Sequence, residues 1–122
     1  MTGYGIGNAW EEKAADYLER NGIRIICRNF KSYRGGEIDL VGVDKEGTLI
    51  FFEVKYRRNL AHGHPLEAIS YSKMRSICRT SDYYRARYKV DCRVSCRFDV
   101  VYIIAGDITW VRNAFMYIEN GL

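Results

Sequence analysis

The chain has 122 residues, 48% hydrophobic and 28% charged, with nineteen basic against fifteen acidic side chains and a net charge of +4. That length supplies one core of ordinary size, so residues 1–122 are expected to form a single domain. No stretch approaches the run of about 18 apolar residues that a membrane span needs, and the start MTGYGIGNAWEEK lacks the basic-then-apolar order of a secretory signal; a cytoplasmic address is the expectation, and the mild positive charge admits a nucleic-acid partner without demanding one.

In chain order, Trp10, Ala14, Tyr17 and Leu18 recur at i, i+4, i+7 and i+8, which predicts an amphipathic helix from about Ala9 to Arg20, stopped by Asn21-Gly22. IRIICRNF predicts a first strand. EIDLVGV and TLIFFEVKYR predict a second and a third, joined through DKEG as a tight hairpin. After the loop NLAHGH, Pro65 suits the first turn of a second helix running through LEAISYSKMRSICRTSDYYRARY, with Thr80 as a candidate break. VSCRFDVVYIIA predicts a fourth strand and ITWVR, after the turn at Gly106-Asp107, a short fifth. Helix, three strands, helix and two strands describe an α/β fold with a mixed central sheet flanked by helices.

Cys27, Cys78, Cys92 and Cys96 form no CxxC pair and read as reduced thiols; a zinc site from Cys92, Cys96, His62 and His64 would have poor spacing. Basic residues gather at Arg24, Arg28, Lys31 and Arg34, at Lys55, Arg57 and Arg58, and from Lys73 to Arg97. Aromatics within these stretches, among them Tyr33, Tyr56, Tyr83, Tyr84 and Tyr88, either stack on bases or cover the core.

The chemistry concentrates in two predicted strands. Alternation puts Leu49, Phe51, Glu53, Lys55 and Arg57 on one face of the third strand, and Glu37, Asp39 and Val41 opposite Ile38, Leu40 and Gly42 on the second. A buried carboxylate is costly and even a buried ion pair is a poor source of stability, so Glu53 and Lys55 mark either the wet end of a strand or a site. If the two strands pair, Asp39 falls beside Glu53 and Lys55. Two carboxylates with an ammonium close by suit a hard divalent ion, magnesium first and manganese second, and the hydrolysis of a phosphodiester. A strand rise of about 3.3 Å per residue leaves Glu53 and Lys55 near enough to serve one phosphate.

Asp39 followed by EVK at Glu53 to Lys55 resembles the PD-(D/E)XK signature of the restriction-endonuclease-like nucleases, and the predicted element order is similar to the αβββαβ core of that fold. More narrowly, RNFKSYRGGEIDLVGVDKEGTLIFFEVKYRR, PLEAISYSKMRSI and RFDVV resemble the small bacterial YraN-type proteins, relatives of the archaeal Holliday-junction resolvases, over nearly the whole chain. The resemblance implies a magnesium-dependent endonuclease for branched DNA, with Asp39 and Glu53 as metal ligands and Lys55 as the catalytic lysine. Glu11 matches the glutamate such nucleases carry on their first helix, although Asn8 and Glu11 also have nearly the spacing of a capping box. Ile38 stands where the signature has proline, and Trp10 replaces the glycine that usually precedes the helix glutamate.

The candidate DNA-backbone contacts are Arg34, Arg57, Arg58 and Lys73. Lys73 falls on the apolar stripe of the second helix with Leu66, Ile69 and Ile77, and either snorkels out or reaches a phosphate. Glu37, just after Gly35-Gly36, reads as the exposed start of a strand in preference to a partner of Asp39. Asp99 reads as a structural partner of Arg97. His62 and His64 lie in a loop suited to substrate contact. The function expected is therefore a metal-dependent endonuclease on branched DNA, with a homodimer suited to symmetric cutting. The alternative is a non-catalytic nucleic-acid-binding or protein-interaction module on the same scaffold.

Overall fold

A computed structural model describes residues 9–58 and 69–119. Helix α1 spans Ala9–Arg20, and the buried side chains of Ala14, Ala15 and Leu18 give it a narrow, close-fitting face. It stops at Asn21-Gly22, where Gly22 adopts φ 96° and the amides of Asn21 and Ile23 both reach the Leu18 carbonyl at 3.0 Å. Glycine makes that left-handed closure inexpensive.

Strands β1 (Arg24–Lys31), β2 (Glu37–Val43), β3 (Leu49–Arg57), β4 (Cys96–Ile104) and β5 (Asp107–Phe115) form one sheet in that spatial order. All neighbours are antiparallel except β3 and β4, which run parallel from Leu49↔Cys96 to Arg57↔Ile104. Helix α2, Tyr71–Arg87, is the crossover that a parallel pair requires.

Alternation along the central strands divides the core in two. Ile50, Phe52, Val101 and Ile103 pack with Ala14, Ala15 and Leu18 of α1. Leu49, Phe51 and Phe98 pack with Ile77, Cys78 and Tyr84 of α2. A smaller cluster of Ile69, Val100, Tyr102 and Ile104 lies against Met74. The expected α/β architecture, a mixed sheet between helices, is thus the observed one.

Three expectations are corrected. The second helix begins at Tyr71, not near Leu66: Ser70 is extended, with φ −67° and ψ 155°, and its hydroxyl accepts the Lys73 amide at 3.1 Å. A serine N-cap sets that boundary; Pro65 lies outside the described residues. The helix also runs unbroken past Thr80, whose hydroxyl donates to the Ser76 carbonyl at 2.8 Å. Finally, alternation in β2 fails at one step, because Leu40 joins the α1-side cluster whereas Ile38 joins the α2-side cluster with Phe30. The cause is Asn29 on β1, which adopts φ 53° between the pairs Arg28↔Leu40 and Phe30↔Ile38 and turns the ladder over at that point. Asparagine tolerates this conformation better than most residues.

Candidate active site

The turn of the ladder at Asn29 lies where β2 and β3 part. Their pairing runs from Val43↔Leu49 to Leu40↔Phe52. One residue further, the Asp39 carboxylate takes over as acceptor, and its Oδ2 receives the Val54 amide at 2.8 Å. A buried amide needs a partner, and here a side chain supplies it, so Asp39 is oriented by the backbone of the strand that carries Glu53.

Around Asp39 the structure gathers acids from three elements. Glu11, in the first turn of α1, Glu37, at the start of β2, and Asp39 each offer an oxygen within 4.8 Å of the others. The charge of Asp39 also bears on Glu53 of β3. Carboxylates this close share either protons or a cation. Burial, then the charge of Asp39, pushes Glu11 up to about 7. The same two causes push Glu53 up to about 7, against the opposing pull of the Lys73 ammonium. Asp39 is raised by burial and held down by the Val54 amide, by Glu11 and by Lys73.

Among the cationic candidates, Lys73 meets these acids. Lys73, in the first turn of α2, lies with Nζ 3.5 Å from Glu53 Oε2. It is an ion-pair partner of Glu53 in the structure, with its side chain still 45% exposed. Lys55 follows Glu53 by two residues on the same face of β3, partly exposed and in register with Tyr102 of β4. Arg57 and Arg58 are exposed at the end of β3, Arg57 donating to the Tyr56 carbonyl at 2.9 Å. Arg34 is exposed in the turn before β2, beside the Tyr33 ring.

Residues 10–103 match the model of the uncharacterised protein family UPF0102. The chain belongs to that family. It is 43% identical over 105 residues to a UPF0102 protein of Lachnoclostridium phytofermentans, covering 86% of this chain and 87% of the relative. With a UPF0102 protein of Methylibium petroleiphilum it shares 38% identity over 120 residues, 94% of this chain and 97% of the relative. Among solved structures, a repair endonuclease from Pyrococcus abyssi superimposes with a TM-score of 0.50 at 19% identity, over 85% of this chain. The UPF0102 chain spans 41% of that protein, and the likeness is one of fold, the restriction-endonuclease-like arrangement anticipated from the motif.

Two parts of this UPF0102 site were not anticipated. Glu37, read from sequence as an exposed strand start, belongs to the acidic group. Asn29 had no assigned part; with its amide nitrogen turned toward the acids, as the surrounding acceptors require, it donates to Glu11 Oε1 at 2.8 Å and Glu37 Oε2 at 3.0 Å. The available signal was an asparagine inside a strand otherwise suited to pairing, since asparagine is depleted in strands.

Other expectations settle elsewhere. Asp99 is fully buried on β4 and accepts from Arg97 Nε at 3.0 Å, Trp110 Nε1 at 2.9 Å and the Asn113 amide at 2.8 Å, which makes it a structural acceptor. The four cysteines are free thiols. Asn8, His62 and His64 lie outside the described residues, as do the capping-box and zinc readings that used them. No described helix is long and apolar enough to cross a membrane.

Proposed function

We propose that this chain is a divalent-metal-dependent endonuclease that hydrolyses phosphodiester bonds in branched or structured DNA. The observation that carries the reading is Asp39, fixed by the Val54 amide at the parting of β2 and β3, with oxygens of Glu11 and Glu37 within 4.8 Å. Holding several half-buried acids together raises their affinity for protons and works against folding, which a bound cation would reverse.

The donor set fits a hard cation. It consists of carboxylate oxygens from separate elements and contains no sulfur or imidazole among the described residues, a set that suits magnesium, or manganese in its place. Asp39, Glu53 and Glu11 would hold the ion, with Glu37 alongside. When bound, the ion supplies Lewis-acid polarisation of the phosphate and a more acidic water. The protein's own groups do the rest. Lys55 places an ammonium on the Glu53 face, where it offsets negative charge gathering on the phosphate oxygens. Lys73 opposes the burial that raises the proton affinity of Glu53, and offers its remaining hydrogens to the DNA backbone. Arg34, Arg57 and Arg58 supply further backbone contacts, which give affinity without sequence preference.

The test is incubation of the purified chain with a labelled four-way junction, linear duplex and single strand in magnesium, manganese or chelator. Metal-dependent cleavage of the branched substrate, abolished by Asp39→Ala and by Lys55→Ala in chains whose melting remains cooperative, is the expected result. Junction binding with no product in either metal would replace the nuclease with the non-catalytic binding module. Paired incision across a junction needs two copies of the site, so a homodimer is part of the proposal, read by sedimentation with and without junction.

A further inference from the structure

Beyond the acidic group, the turn between β1 and β2 carries a second feature. Tyr33 is 77% exposed, although its ring meets Tyr83 of α2 edge to face with centroids 5.4 Å apart. The ring is therefore anchored on one edge with most of its surface in water. Arg34 lies with its guanidinium carbon 5.7 Å from the Tyr33 centroid, and Arg79 lines the same cleft of about 160 Å³ together with Ser32 and Tyr83. Neither arginine has a carboxylate partner within ion-pair distance among the described residues.

The turn is held in place. Ser32 receives the Gly35 amide on its carbonyl at 3.0 Å and the Arg34 amide on its hydroxyl at 3.2 Å, and its own amide reaches the Gly36 carbonyl at 2.9 Å. An exposed aromatic on a fixed turn, between two arginines without acidic partners, has the composition of a nucleotide site: a ring for a base and cations for its phosphate.

We infer that Tyr33, supported by Tyr83 and flanked by Arg34 and Arg79, receives one unpaired nucleotide of the DNA, its base stacked on the Tyr33 ring and its phosphate between the two guanidinium groups. The inference rests on the nuclease reading and narrows its substrate to DNA with a single-stranded arm beside the cut. A base inside a duplex has both faces already stacked, so an open tyrosine face discriminates for an unstacked one. At about 1.5 Å per residue, Arg79 lies roughly 9 Å further along the axis of α2 than Lys73.

The experiment uses the full chain in chelator, so that binding is read without cleavage. The probes are a blunt duplex, the same duplex with a four-nucleotide single-stranded arm, and the armed duplex with 2-aminopurine in the arm. Tyr33→Ala should weaken the armed duplex about tenfold while leaving the blunt duplex within about twofold, and should remove the quenching of 2-aminopurine seen with the unmodified chain. Tyr33→Trp should retain both. Arg79→Ala should lower the salt dependence of arm binding by about one counterion. Equal losses on both duplexes, no loss on either, or unquenched 2-aminopurine with the unmodified chain would overturn the inference. A chain that cleaves nothing in any metal yet shows the arm-specific loss would overturn the nuclease reading alone; a chain that cleaves while Tyr33→Ala is silent would overturn the nucleotide site alone.

Discussion

The indole of Trp10 lies flat on the ring of Tyr56, with centroids 3.8 Å apart and planes 10° from parallel. The contact ties the first turn of α1 to β3 at the residue after Lys55, on the face opposite Glu53. Glu11 follows Trp10 directly, so the stack braces the helical turn that carries Glu11. Trp10→Ala should reduce metal-dependent cleavage about tenfold and lower the melting temperature by a few degrees, whereas Trp10→Phe should keep most of both, since a stacked pair contributes on the order of 1 kcal/mol beyond burial. Kinetics and thermal melts of the two variants check this. A Trp10→Ala chain with unchanged activity would show that Glu11 needs no such support.

The acids make folding sensitive to pH in a defined direction. Glu11 and Glu53, ordinarily near 4.5, are both pushed up to about 7, first by burial and then by the Asp39 charge. Between those values the folded chain binds more protons than the unfolded one, so their contribution is favourable below about 4.5, falls as pH rises to about 7 and is flat above that. Glu53, buried, carries most of it, roughly 2 kcal/mol; Glu11 is more exposed and adds less. In chelator, Glu53→Gln should therefore raise the melting temperature at pH 8 and leave it little changed near pH 5. Magnesium at pH 8 should stabilise the unmodified chain and not the variant. Calorimetry at both pH values reads the result, and a variant less stable at pH 8 would reverse the sign argued here.

Much of this arrangement is legible from residue order because it follows from the two-residue period of a strand. The period puts Glu53 and Lys55 on one face, and the hairpin Asp-Lys-Glu-Gly pairs β2 with β3 as far as Leu40↔Phe52, beyond which Asp39 accepts the Val54 amide. What is not legible depends on contacts between distant elements. Glu37 looks like an open strand start until α2 is seen pressing on Gly36, and Asn29 looks like a poor strand residue until its φ of 53° is seen turning the ladder over. The start of α2 is set by the Ser70 hydroxyl accepting the amide three residues ahead, a contact that the helix-start signal of Pro65 gives no sign of in the sequence.

Asn29 does two tasks that substitutions can separate. Its backbone needs the left-handed region and its amide holds Glu11 and Glu37. Asn29→Gly should retain the fold, within about 1 kcal/mol, while cation affinity falls several-fold; Asn29→Ala should lose stability as well. Chemical denaturation and calcium titration distinguish the two. Equal cation affinity in Asn29→Gly and the unmodified chain would leave the amide without a part in the site.

The two lysines should fail in different ways. Lys73 lowers the proton affinity of Glu53 and Asp39, so Lys73→Met should move the pH midpoint of cation binding upward by roughly half a unit and shift the cleavage profile the same way. Lys55→Met should leave that midpoint near its place and cut the rate about a hundredfold, because its proposed part is with the phosphate. Calcium binding against pH, alongside rates in magnesium, separates them. A downward move with Lys73→Met would contradict the ion pair with Glu53.

Gly36 sets the distance between the start of β2 and α2. A Cβ built there would fall 2.1 Å from Thr80 Oγ1 and 3.2 Å from Ser76 Oγ, so the absence of a side chain is what lets Glu37 and Asp39 approach the helix that carries Lys73. Thr80 cannot easily turn aside, because it is buried and its hydroxyl is bonded to the Ser76 carbonyl. Gly36→Ala should therefore cost on the order of 2 kcal/mol, as overpacking does. Adding Thr80→Ala in the same chain removes the clashing hydroxyl and should restore part of that loss, a coupling measurable in a double-mutant cycle by urea denaturation. Strictly additive losses would mean that the two positions do not press on each other.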